Sequence, residues 1–188
     1  MTVTRRLPRV RVSANTLLLI AFLAIFDRGF TLLVPLLAAL LHELGHIVVM
    51  LFCGIEIRQI KVSLFGAEIS GADVECAGRA AQIAVYAAGA AVNLVCGLAA
   101  EGLGFGFFAG CSYALAAVNL LPIQTLDGGC IIAAMLSDCK YGHIIIRLLS
   151  GLSLFLLWLA ASYLLLLSGG NLSLLMLIVY LFVTIYLT

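Results

Sequence analysis

Long apolar segments constrain the fold of this chain more than any other feature of its sequence. A helix that crosses the hydrocarbon core of a bilayer needs about 20 mostly apolar residues. Segments of this kind recur through the 188 residues, of which 64% are hydrophobic and only 10% are charged. An ordinary soluble domain has about 25% charged residues. The sequence therefore predicts an all-α integral membrane protein.

We expect about six transmembrane helices, with approximate bounds of 13–26, 30–53, 80–100, 104–121, 143–167 and 171–187. Cytoplasmic loops of membrane proteins are enriched in lysine and arginine. If the N-terminus is cytoplasmic, nine of the ten basic residues fall on or near that side and only Arg28 falls outside. Both termini are therefore predicted to be cytoplasmic. The net charge of +1 gives no reason to expect binding to nucleic acid.

Residues 54–79 form the only sizeable polar segment. Apolar residues recur at roughly every second position between Ile55 and Leu64, which is a period typical of strands. This pattern predicts a small β-hairpin or sheet at the cytoplasmic face. Two interpretations fit: a surface hairpin that packs against the helices, and an edge strand that pairs with an extended substrate.

The motif His42-Glu43-Leu44-Gly45-His46 lies inside the apolar segment 30–53. Side chains four residues apart lie on one face of a helix, so the two imidazoles can bind one metal ion. The Glu43 carboxylate then lies beside the ion, where it can take a proton from the attacking water and give it to the leaving nitrogen. A proton relay or a pair of pore-lining histidines would also place ionisable groups in a membrane helix.

Asp127 is the best candidate for a third metal ligand, since catalytic zinc normally has three from the protein. It lies in the segment 119–129, where Pro122 and a glycine pair interrupt a helix. Broken backbone at membrane depth needs surrounding protein or a watery cavity, and a buried carboxylate needs a partner. Asp127 can also be read as the N-cap of a helix over 128–136, and one carboxylate oxygen could serve each role. His143, the third histidine, is expected at the membrane interface instead.

Three motifs together resemble those of the site-2 protease family of intramembrane metalloproteases, peptidase family M50. They are HELGH at 42–46, GAAVN at 89–93 and NLLPIQTLDGG at 119–129. The likeness spans roughly residues 10–136 and is greatest to the stage IV sporulation protein FB branch. It implies that His42, His46 and Asp127 bind one Zn²⁺ and that Glu43 is the catalytic base.

The resemblance also implies a substrate class. Members cleave a peptide bond in or beside a membrane-embedded segment of a protein, at a site that water reaches a short way in from the cytoplasmic face. A sigma-factor precursor or another membrane-tethered regulator is the implied substrate, and membrane-protein regulators are implied partners. The implied location is the bacterial inner membrane, or the membrane around a forespore.

Asn93 and Asn119 fall on family positions near the active site. Their amides are expected either to hold the substrate strand or a developing oxyanion, or to make hydrogen bonds between helices. The chain departs from the family pattern at Ala90 and Thr125, where relatives often have proline. These differences affect loop shape more than chemistry.

We expect one membrane domain over residues 1–188, with its metal-binding core at about 30–136 and with neither a CBS nor a PDZ domain. Two other functions are compatible with parts of the pattern. A divalent-metal transporter could use the same two histidines and Asp127, but it leaves Glu43 without a role. A non-catalytic scaffold would bind the same clients and would need neither the base nor the ligands.

Overall fold

The computed structural model describes residues 9–12, 33–57, 59–63, 66–70 and 74–168. The helices and strands in these ranges are β1 Arg9–Val12, α1 Leu33–Phe52, β2 Gln59–Ser63, β3 Gly66–Ser70, α2 Arg79–Gly102, α3 Gly106–Asn119, α4 Asp127–Met135 and α5 Gly142–Ser168, with a 3₁₀ turn at Val74–Cys76. The transmembrane segments predicted near 13–26 and 171–187 lie outside the described residues.

Three of these helices are long and apolar enough to cross a membrane: Leu33–Phe52, Arg79–Gly102 and Gly142–Ala160. The helix α3 is apolar but shorter. Large apolar side chains such as Leu40 and Val95 are about two-thirds exposed on the protein surface, where lipid rather than water is the compatible solvent. The prediction of a mostly helical membrane protein is confirmed, whereas the number of six spans stays a prediction.

The chain divides into two compact units, Met1–Ala116 and Ala117–Thr188. In the first unit, α1 packs along α2 through small and polar residues. The buried residues of α1 are Ala38, His42, Gly45, His46 and Met50, and those of α2 are Val85, Ala88, Gly89, Ala90, Asn93, Gly97 and Ala100. Both sets recur every three or four residues, as expected for one face of a helix.

Gly45 shows how closely these two helices approach each other. A Cβ atom added there would lie 2.9 Å from the Ala88 carbonyl oxygen and 2.9 Å from the Val92 side chain. Small residues at helix contacts let backbones approach in this way in membranes. The helix α3 then follows α2 across a short turn, and the Tyr113 hydroxyl donates a hydrogen bond of 2.8 Å to Glu101.

The helices α1 and α2 end in the same way. Gly54 and Gly104 follow the two helices with φ of +72° and +85°, a conformation that glycine adopts without steric cost. The next residue donates back to the helix in each case, from Ile55 N–H to Met50 and from Phe105 N–H to Ala100. The glycine N–H also donates at each end, from Gly54 to the Leu51 carbonyl and from Gly104 to the Glu101 carbonyl. Two such bonds at one helix end form a Schellman motif. After α1 it brings Ile55 into a buried apolar group with Met50, Val74 and Val85.

The three strands form one sheet in the order β1-β2-β3. β2 pairs antiparallel with β3, from Gln59 opposite Ser70 to Ser63 opposite Gly66. β1 pairs parallel with β2, with Arg9 opposite Gln59. The predicted alternation therefore began too early, because Ile55 belongs to the end of α1 and its apolar contacts. The position of the sheet at the cytoplasmic face stays a prediction.

In the second unit, α5 packs against the segment that precedes α4. Ile123 is fully buried against Leu154 of α5, and Leu121, Leu126 and Leu157 pack around this pair. The apolar contact with α5 holds the segment between α3 and α4 in place.

Candidate metal centre

The two histidines of the motif lie on the buried face of α1. His42 and His46 are 5% and 7% exposed, and their ring centroids are 4.8 Å apart with the rings nearly perpendicular. They lie near the middle of a 20-residue helix that is about 30 Å long. Their spacing follows directly from the helical repeat, so the sequence was sufficient to predict that both rings share one face.

His46 is held by a backbone carbonyl of α2. Its Nδ1 atom lies 2.7 Å from the Val85 carbonyl oxygen. A carbonyl oxygen can only accept a hydrogen bond, so Nδ1 must carry the proton and donate it. In the neutral ring Nε2 then keeps its lone pair. Metal-binding histidines in proteins commonly have this arrangement, which fixes both the tautomer and the ring orientation.

His42 contacts the side chain of Asn93 on the same helix, α2. The Asn93 amide nitrogen lies 3.1 Å from His42 Nδ1, and the Asn93 side chain is fully buried. One amide predicted to lie near the active site therefore lies directly behind a predicted metal ligand. Two roles were considered for Asn93. The observed contact is one of them, a hydrogen bond between helices. The other, a contact with the substrate, stays a prediction.

Gly89 faces the remaining nitrogen of both rings. A Cβ atom added at Gly89 would lie 2.6 Å from His42 Nε2 and closer still to His46 Nε2. The two Nε2 atoms therefore converge on a space that even one methyl group would fill. A metal ion held at about 2.0–2.1 Å from both nitrogens needs such a space, so the histidine pair and Gly89 together fit a metal site.

Asp127 begins α4 and is half-buried. Leu126 occupies the N-cap position, so the alternative prediction that Asp127 caps this helix is wrong. A carboxylate in the first helical turn is favoured by the partial positive charge of the helix N-terminus. Asp127 is therefore at the end of α4 that attracts anionic groups.

The glycine pair after Asp127 allows the chain to fold tightly at this point. Cβ atoms at Gly128 and Gly129 would clash with the carbonyl groups of Leu120 and Ile123, respectively. The segment before α4 therefore lies directly against the first turn of that helix, and only glycine fits there.

Ser150 of α5 fixes the same segment from the other side. Its hydroxyl accepts a hydrogen bond of 2.9 Å from the Gln124 N–H and donates one of 2.8 Å to the Ile146 carbonyl. Ser150 is almost fully buried. Sequence reasoning missed this residue, because nothing in the local pattern indicates that a serine 26 positions away holds the segment.

His42, His46 and Asp127 are the group of side chains that can hold a metal ion among the described residues. Two imidazole nitrogens and one carboxylate oxygen are the donor set of many catalytic zinc sites. This group can therefore bind a metal ion.

The other predicted residues are placed as follows. Glu43 is half-buried beside His42 on α1, Asn119 is half-buried at the end of α3, and His143 is exposed at the start of α5. The catalytic role of Glu43 and the substrate role of Asn119 stay predictions.

The chain was compared with known proteins and structures. No protein-family model matches it, and no curated protein does. A site-2 protease from Methanocaldococcus jannaschii has a similar structure, with a TM-score of 0.66 over 94% of this chain and 89% of that chain. The chain has the site-2 protease fold. The identity is 21%, so the likeness concerns the fold, and the stage IV sporulation branch has no support from it.

Proposed function

We propose that this protein is an intramembrane zinc metallopeptidase of the site-2 protease family. In this proposal it hydrolyses a peptide bond in or next to a membrane-associated segment of a protein substrate. The observation that carries the proposal is the convergence of His42 and His46 on the space at Gly89, with Asp127 as the third donor. The shared fold with a site-2 protease supports the same activity.

Each residue has a distinct task in the proposed reaction. His42, His46 and Asp127 would hold Zn²⁺, which acts as a Lewis acid and makes water easier to deprotonate. Glu43 is next to His42 on α1, and in this proposal its carboxylate accepts the proton of the attacking water. The same carboxyl group then donates that proton to the departing amine. A transporter would have no use for a base at this position.

The sheet offers a way to hold the substrate. A helical substrate hides its carbonyl groups in its own hydrogen bonds and must unwind before it is cut. An unwound segment can add to the edge of a sheet. Since β2 is the central strand, the edges available in the described sheet are β1 and β3. We therefore assign the substrate-pairing role to one of these two strands rather than to the segment 55–65.

We further propose that the substrate is a membrane-tethered regulator such as a sigma-factor precursor. In this proposal the protein lies in a bacterial inner membrane, or in the membrane around a forespore. Its N-terminus is cytoplasmic, and other membrane proteins regulate it. The positive-inside distribution of lysine and arginine supports the orientation, and the motifs shared with the sporulation branch support the substrate class.

The test uses the full chain purified in detergent, with zinc content and cleavage measured on the same samples. The wild-type protein should contain about one zinc ion per chain and should cut a co-expressed sigma-factor precursor. Glu43→Gln should keep its zinc and lose about 10²–10⁴-fold of the cleavage rate, because the base is removed while the ligands remain. Asp127→Ala should lose both.

Two results would contradict this function. A wild-type protein without zinc, even after loading with excess Zn²⁺, would exclude a zinc enzyme. Zinc flux into vesicles that is unchanged in Glu43→Gln, with no cleavage of any tethered precursor by the wild type, would favour the transporter. His143→Ala is the control for the histidine variants, because His143 is exposed and should not affect zinc content.

A further inference from the structure

We propose that Asn93 is a positioning residue whose amide oxygen accepts the Nδ1 proton of His42, so that Nε2 of that ring carries the lone pair that binds the metal. The inference rests on the proposed zinc site and adds to it the residue that orients one of its ligands.

The first observation is the state of the Asn93 amide. Its nitrogen lies 3.1 Å from His42 Nδ1, and its oxygen is buried with no hydrogen-bond partner among the described residues. The two ends of an amide have almost the same size and shape, so the hydrogen bonds around them decide which end faces a neighbour. Both orientations of Asn93 therefore fit the same space.

The two orientations have opposite consequences for His42. If the amide nitrogen faces His42, it donates to Nδ1, and the neutral ring must carry its proton on Nε2. That proton would point at the space in front of Gly89 and prevent Nε2 from binding a metal. If the oxygen faces His42, Nδ1 donates to it and Nε2 keeps its lone pair. Only the second orientation is compatible with a metal held by both histidines.

The second observation is a repeat along α2. Val85, Gly89 and Asn93 are four residues apart on one buried face, and His46 and His42 are four residues apart on α1. The Val85 carbonyl accepts from His46 Nδ1, Gly89 leaves room in front of both Nε2 atoms, and Asn93 meets His42 Nδ1. The helix α2 thus presents three features at four-residue intervals: an acceptor for His46, an open space before both Nε2 atoms, and a polar partner for His42. This interval matches the spacing of the two histidines on α1.

The repeat assigns Asn93 the same role as Val85. The Val85 carbonyl oxygen accepts the hydrogen bond from His46 Nδ1, and in this proposal the Asn93 amide oxygen accepts the one from His42 Nδ1. Outer partners of this kind set the tautomer and orientation of metal-binding histidines, and their loss typically weakens metal binding by about 10–100-fold.

Two substitutions separate the oxygen from the nitrogen of the amide. Asn93→Asp keeps an acceptor and removes the donor, whereas Asn93→Leu removes both at similar volume. Zinc affinity is measured by competition with a chelator on the detergent-solubilised full chain. We expect Asn93→Leu to bind zinc about 10–100-fold more weakly, and Asn93→Asp to stay within about threefold of wild type. Ser112→Ala is the control, because Ser112 is a fully buried polar residue on α3.

The two variants also separate this role from contact with the substrate. Cleavage by Asn93→Leu should recover when zinc is raised until the site is full. If zinc affinity is unchanged in Asn93→Leu while cleavage falls, Asn93 acts on the substrate and the inference is wrong, although the protein is still a zinc peptidase. If folded Asn93→Asp binds zinc as poorly as Asn93→Leu, the amide acts as a donor, which also overturns the inference.

A direct measurement needs no variant of Asn93 and covers the case in which both variants fail to fold. Protein labelled with ¹⁵N-histidine, carrying His143→Ala so that only two rings remain, is examined by long-range ¹⁵N–¹H NMR correlation. Both rings should be protonated at Nδ1 and not at Nε2, with zinc and also without it at about pH 8.5, where free imidazole is neutral. A metal-free His42 ring protonated at Nε2 would exclude the inference, whereas failure to bind zinc at all would exclude the proposed function.

Discussion

The two histidines and the aspartate are held by different kinds of backbone. His42 and His46 lie in the middle of a regular 20-residue helix, packed closely against a second regular helix. Asp127 begins a nine-residue helix after a broken segment that is fixed by glycine contacts and by Ser150. In the first region the helical repeat sets the geometry. In the second, individual contacts between residues distant in the sequence set it.

This difference teaches where each part of the site is vulnerable. In the regular helices, a substitution disrupts the site when it adds a side chain at the contact between the two backbones. In the broken segment, a substitution disrupts the site when it removes a contact that fixes the conformation of the segment. Substitutions in the two regions should therefore affect zinc binding and stability in different proportions.

The largest effect is expected for Gly89→Ala in the regular region. The added methyl group would fill the space in front of both Nε2 atoms, so zinc binding and cleavage should fall to background. The helix itself should not be weakened, because alanine favours helix over glycine by about 1 kcal/mol. Zinc content and the thermal unfolding midpoint, measured together, test this prediction.

Gly102→Ala is the matched control for Gly89→Ala. It makes the same change in the same helix, but a Cβ at Gly102 meets nothing within 4 Å. Gly102→Ala should keep its zinc. If Gly89→Ala binds zinc like the wild type, the ion does not occupy the space between the rings and Gly89.

Gly129→Ala in the broken segment should have a smaller effect on zinc binding, but it should also lower the stability of the protein. The added Cβ would clash with the Ile123 carbonyl, which is backbone and must move as a whole. We expect about 1–3 kcal/mol of destabilisation, together with weaker zinc binding, because the shift carries the start of α4. Chemical denaturation and chelator competition measure the two effects. The substitution Gly110→Ala lies inside α3, where a Cβ meets nothing within 4 Å. It should weaken neither zinc binding nor stability, because alanine favours a helix over glycine.

The smallest effect is expected for Ser150→Ala. This change removes the hydroxyl that accepts from the Gln124 N–H. The donor left unpaired is only partly buried, so the cost should fall near the lower end of the range of about 1–3 kcal/mol. The unfolding midpoint should fall by a few degrees while some zinc binding remains. Ser153→Ala, which alters another buried serine of the same helix, is the comparison. Equal losses in both variants would show that Ser150 has no special role in holding the segment.

The regular region could be predicted from the sequence to a large extent, and for a physical reason. The period of a helix converts the spacing of His42 and His46 directly into a shared face. The apolar lengths around them likewise predicted the helices α1, α2 and α5, with ends that differ from the structure by a few residues. Gly54, at the end of α1, was consistent with the predicted start of the loop.

Other features could not be predicted because main-chain atoms or distant residues create them. The acceptor for His46 is the Val85 carbonyl, and every residue has a carbonyl, so no pattern marks it. The contact of Ser150 with the broken segment depends on how α5 packs. The alternation predicted a strand from Ile55, but the strand begins later. The end of α1 places Ile55 in a buried apolar group, and such tertiary contacts override local preference.

The close contact of α1 with α2 restricts the direction from which a scissile bond can arrive. The backbone of Gly89 covers one side of the space before the two imidazoles, and the Val92 side chain and the Ala88 carbonyl crowd Gly45 just beside it. Within the part of the chain that the structure describes, these close contacts block that flank to an incoming peptide strand. Photo-crosslinkers on the outer, lipid-facing surface of α2 should therefore capture less of a trapped client than crosslinkers on the two edge strands of the sheet.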